Sequence, residues 1–119
     1  LLDKLTILGL KLTNIADVQK LSNIQKEHDE LSPLADQLFD SYGEELKNLY
    51  KKLTEINSEL WTIEDDIREC ERNKDFGSDF VSLARAVYFT NDKRSDVKKA
   101  INLITDSGFV EEKSYEDYE

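Results

Sequence analysis

The sequence predicts an all-α protein, an antiparallel helical bundle dominated by a long coiled-coil-like hairpin over about residues 44–106. Three observations predict it. Leu46, Leu49, Leu53, Ile56, Leu60, Ile63, Ile67 and Cys70 are spaced 3, 4, 3, 4, 3, 4, 3, an unbroken heptad seam. The same register continues in the last helical stretch at Phe80, Leu83, Val87, Val97, Ile101 and Ile104. Composition agrees: 4 Gly and 1 Pro among 119 residues, with 39% apolar and 35% charged, favour long amphipathic helices over a sheet. A chain of this length makes one domain with a modest core.

Residues 1–13 form the first helix. Leu1, Leu5, Leu8 and Leu12 share one stripe, while Leu2, Ile7 and Leu10 lie off it. A helix apolar on most sides needs cover from several directions, either as the central element of the bundle or as a contact in a homo-oligomer through these seven residues. Asn14 is placed to cap a second helix over 15–31, which turns Val18, Leu21, Ile24, His28 and Leu31 inward. Pro33 lacks an amide and disfavours helix at Ser32, so a break is expected there. A short helix over 33–41 then carries Leu34, Leu38 and Phe39, and Tyr42-Gly43 ends it. The long helix over 44–73 spans roughly 45 Å at 1.5 Å per residue. "NKDFGSD" is the turn, with Ser78 as the cap of a last helix over 78–106 that Ser107-Gly108 closes. Residues 107–119 are an acidic tail in which Phe109 and Val110 can tuck back onto the bundle. Short turns make the long helices antiparallel neighbours.

One stretch violates the pattern. Thr90-Asn91-Asp92-Lys93-Arg94 is polar throughout, yet the register puts 90 and 94 on the seam. Facing residues in a hairpin with this turn have numbers summing to about 151. Arg94 therefore lies opposite the neighbourhood of Asn57, Thr90 opposite Trp61, and Val87 opposite Glu64. Two polar interruptions fall at one height. An inward Arg needs a carboxylate or carbonyls, and Glu64, Asp65 or an acid of the second helix could supply them. Two structural readings compete with a functional one: a polar layer that fixes helix register, or an Arg94 whose head snorkels to water. The functional reading is a small-anion site between helices, lined by Arg94, Asn91, Thr90, Trp61, Asn57 and Glu64.

A net charge of −10 with no dense basic face argues against binding to nucleic acid or anionic membranes. No apolar run approaches the roughly 20 residues of a membrane span. "LLDKLTILGLKL" carries charges and lacks a cleavage site, and Cys70 stands alone, so a reducing, cytoplasmic setting is expected. In "IEDDIRECER" the acids point outward when Ile63, Ile67 and Cys70 point in, with Glu64 expected on Arg68 and Glu71 or Asp75 on Arg72. With one histidine in the chain, neither a di-metal bundle nor a zinc site is expected, and His28 reads as a hydrogen-bonded core residue. Cys70 reads as an inert buried hydrophobe. There is no glycine-rich phosphate loop, nucleophile elbow or Cys–His pair, so neither a catalytic residue nor a cofactor is assigned.

The blocks "LLDKLTIL" (1–8), "LWTIEDDIRECERNKDFGSDFVSLARAVYFTNDKR" (60–94) and "VEEKSY" (110–115) resemble a family of short bacterial and phage-associated proteins catalogued as a domain of unknown function. The blocks leave about 13–58 unmatched. The resemblance implies about ten residues before Leu1 and an acidic residue where this chain has Gly9. It implies no activity, so no functional residue is carried over. A helical chorismate mutase is similar in fold only; its dicarboxylate pocket needs several cations, and here the inward ones reduce to Arg94, with Arg85 and Lys11 as candidates. Two functions are therefore expected to compete: a self-associating interaction or scaffold module without catalysis, and a small-anion or metabolite-binding bundle built around Arg94.

Overall fold

The computed structural model describes residues 1–105; Ser107-Gly108, the acidic tail, Phe109 and Val110 lie outside the described residues. Three helices account for nearly all of it: α1 (Leu2–Asn14), α2 (Val18–Arg72) and α3 (Ser78–Thr105). The fold is all-α.

Local chemistry sets the ends of each helix. α1 has Asp3 in its first turn and Lys11 in its last, as the helix dipole favours, and stops where Ile15 turns extended. α2 is capped by Asp17, whose Oδ1 accepts the Lys20 amide at 3.1 Å; Asn14 instead donates to the Leu10 carbonyl within α1. The expected cap was three residues early. The expected break at Pro33 does not occur either, and α2 runs through it as helix. Both Pro33 and Asp29, whose carbonyl loses its donor, lie on the exposed side, where water can satisfy that carbonyl.

The real break is Gly43. Its φ of 70° and ψ of −150° belong to a region open only to glycine, and they fold α2 back on itself. The Phe39 and Tyr50 rings then meet edge to face at 5.2 Å. Desolvation by burial raises the Tyr50 phenol pKa.

α2 ends in a Schellman motif. Lys74 takes a left-handed φ of 53°, the Asp75 amide reaches back to the Cys70 carbonyl at 2.8 Å, and Lys74 N–H bonds Glu71 at 3.1 Å. Ser78 is the first residue of α3, not the cap before it.

The chain thus makes two hairpins that meet at Gly43. α1 pairs with the first arm of α2, with Lys4 on Glu27 at 2.5 Å. The second arm of α2 pairs antiparallel with α3: one groove joins residues 45–55 to 100–104, another joins 52–59 to 93–97, and a third joins 66–75 to 79–83. All sixteen expected seam positions are buried or half-buried, including Thr90 and Arg94.

The hairpins share one core: Leu2 and Leu5 of α1, Ala35, Leu46, Leu53, Ile56 and Leu60 of α2, and Val97 and Ile101 of α3. α1 is the central element over its N-terminal half, where Leu2, Leu5, Thr6 and Leu8 are buried. Val18, expected inward, is 81% exposed. No described helix is long and apolar enough to cross a membrane.

Candidate functional site

The centre of the molecule is a polar layer on three helices. Asp3, in the first turn of α1, presents its carboxylate to the hairpin. Arg94 of α3 grips it with two N–H groups, Nε to Oδ1 at 3.2 Å and Nη2 to Oδ2. Asn57 of α2 donates to the same Oδ1 at 3.0 Å and to Thr6 Oγ1 at 2.6 Å. Lys98, one turn beyond Arg94, brings its Nζ to 3.7 Å from Asp3 Oδ2. Thr6 and Asn57 are buried, while Asp3, Arg94 and Lys98 keep 20–26% of their side chains in water.

The helices explain this meeting. Asp3 and Thr6 are three residues apart and project from the same face of α1. Arg94 and Lys98 share a face of α3 for the same reason, and antiparallel pairing puts Asn57 level with Arg94. The contact ties α1 to the hairpin at the point where three helices come together.

Of the six residues singled out from sequence, the layer unites two, Asn57 and Arg94, through Asp3. Thr90 is buried and Asn91 and Trp61 half-buried, and among the described residues no hydrogen bond joins them to the layer. Glu64 is a surface residue whose carboxylate sits 3.9 Å from Arg68. The expected partners of Arg94 were wrong: Glu64 and Asp65 face Arg68 instead, and the acid comes from α1, not the second helix. Sequence reading missed Asp3, Thr6 and Lys98. The available signal was Asp3 itself, the one acid of the first helix.

Other residues also depart from expectation. Arg72 pairs with Glu69, not Glu71 or Asp75, and this contact holds the Glu69 carboxyl below its usual pKa. His28 is half-buried, with Nδ1 lacking a hydrogen-bond partner and 3.9 Å from Asp29 Oδ1, so it is not the hydrogen-bonded core residue expected. Arg85 sits over the Phe89 ring at 5.9 Å, away from the layer. Asp92 and Ser95, off the seam, are buried too.

Beside the layer lies a cleft of about 290 Å³, walled by Leu1, Leu2, Leu38, Leu53 and Ile101, with Asp3, Lys98, Asn102 and Thr105 at its polar edge. Tyr42 closes the neighbouring corner by donating its hydroxyl to the Thr105 carbonyl at 3.2 Å. Among the described residues no group of His, Cys, Asp and Glu is arranged to hold a metal.

No curated protein and no solved structure matches the chain. A family model does, and it extends over residues 1–118, including the stretch 13–58 that the recognised blocks leave out. The chain belongs to DUF6165, a family of unknown function.

Proposed function

We propose that the chain is a helical interaction module without catalytic activity, whose polar layer is a structural clasp and whose surfaces bind protein. The observation that carries this reading is the grip of Arg94 on Asp3. The seam cation that an anion site would need is already neutralised by a carboxylate of the same chain, and Asn57 completes the set. An external anion would have to displace Asp3 and free the N-terminus of α1.

Self-association is part of the proposal, through a smaller surface than sequence alone suggests. Leu2, Leu5 and Leu8 are buried within their own chain, which leaves Leu1, Ile7, Leu10 and Leu12. Sedimentation across the micromolar range tests this part, and a strict monomer at high concentration removes it.

One observation favours the second reading, a small-anion or metabolite site: the apolar cleft with Lys98 at its edge. A thermal-shift screen with sugar phosphates and nucleotides separates the two. The interaction reading expects no rise in melting temperature. A ligand at about 100 times its Kd would add about 2.7 kcal/mol of stability, enough to be seen, and would overturn it.

A further inference from the structure

We propose that the tip of the α2–α3 hairpin is the docking surface, and that it takes a protein segment carrying Lys or Arg beside apolar side chains. The inference deepens the interaction reading and rests on it.

The tip displays aromatic surface that nothing in the fold requires to be exposed. Phe76 and Val81 are each 52% exposed, and the Phe76 and Phe80 rings pack edge to face at 5.4 Å. Exposed aromatic side chains are the residues that most often anchor protein interfaces. Phe76 is held in place from both sides. The Schellman motif fixes the chain before it, and the Gly77 amide bonds Asp75 Oδ1 at 3.2 Å just after it. A backbone fixed in this way, with the ring packed on Phe80, loses less entropy on binding than a free side chain.

Charge selects the partner. Next to the aromatic pair is a concavity of about 400 Å³ whose walls include Asp66, Glu69, Asp75 and Asp79. Glu69 is engaged by Arg72, but Asp66, Asp75 and Asp79 make no ion pair among the described residues. Cys70 also lines the concavity, and there desolvation first, and then the charges of Asp75, Asp79, Asp66 and Glu69, push up the pKa of its thiol. A partner ammonium or guanidinium entering here meets a negative potential while Phe76 inserts into its apolar neighbour.

The test is an NMR titration of the isotope-labelled full chain with two synthetic peptides of equal length. One is an amphipathic helix of Leu and Lys; its twin has Glu for every Lys. The Lys peptide is expected to give saturable shifts centred on residues 66–83, and the Glu twin none. Phe76→Ala and the double variant Asp75→Asn/Asp79→Asn should each weaken binding about fivefold or more while leaving the amide spectrum outside residues 66–83 unchanged, which shows that the fold is kept. Unchanged affinity in Phe76→Ala, or no saturable binding of the Lys peptide, overturns the proposal. A shift map centred on residues 9–34 overturns this surface but leaves the interaction reading intact, because that reading fails through the ligand screen instead.

Discussion

Residues 9–34 and 64–89 are the far ends of the two hairpins, equal in length, and neither contains a buried residue. The shared centre, residues 2–8, 35–63 and 90–101, contains every buried residue described. The two ends nevertheless differ. The second hairpin keeps a regular heptad seam to its last turn, closes with a Schellman motif and presents Phe76. The first carries a seam too, with Leu21, Ile24, His28 and Leu31 spaced 3, 4 and 3, but a histidine sits in it, and the chain turns through an extended Ile15 to a helix whose first residue, Val18, is 81% exposed. The comparison teaches that a heptad pattern specifies which faces pair, whereas burial needs a third and fourth helix. Ile67 and Cys70 obey the seam as faithfully as Leu46 and Leu53, yet only the latter pair is fully covered.

Truncations break the comparison most sharply. Leu53→Ala should cost about 2–5 kcal/mol, because Leu53 is fully buried where both hairpins meet. Ile67→Ala, on the same seam but half-buried, should cost about 1 kcal/mol, and urea unfolding of the two variants measures the difference. If both cost the same, the tip is packed as tightly as the centre.

Next in size is Gly43→Ala. A side chain there meets no neighbour, so its effect is backbone strain alone, about 1–3 kcal/mol of lost stability. Pro33→Ala, by contrast, should be neutral or stabilising, because α2 is already helical there.

Hydrogen exchange should then rank the regions. Amides of 64–72 and 18–30 are expected to open at free energies below those of 44–63, which follow global unfolding.

The smallest effect concerns Cys70. Its raised pKa keeps the thiol protonated, so alkylation at pH 8 should be slower than for a free cysteine. Asp75→Asn/Asp79→Asn removes two causes of that rise, lowers the pKa and should quicken the reaction. An unchanged rate would argue against the negative field at the tip.

Much of the fold was legible because helix pairing depends on periodicity. The seam from Leu46 to Cys70 and its continuation to Ile104 follow from side-chain spacing alone, and the antiparallel partner of Arg94 follows from counting across the turn. Boundaries were less legible. Pro33 predicts a break because a missing amide normally ends a helix, but on an exposed face the orphan carbonyl is solvated and the helix continues. Gly43 ends its helical arm as the sequence predicts, and its backbone freedom also folds two long arms together. The polar layer was half legible. Asn57 and Arg94 lie on adjacent helices and could be aligned by register, whereas Asp3 comes from an element with no register relation to the hairpin. Only packing in three dimensions brings it there.

The double-mutant cycle on Asp3 and Arg94 tests the clasp most directly, using Asp3→Ala, Arg94→Met and the pair. Removing either partner strands a partly buried charge, and removing both strands neither of the two. A coupling energy of about 1 kcal/mol or more is predicted. Two costs that simply add, to within about 0.3 kcal/mol, would contradict the clasp and leave Arg94 available for another role.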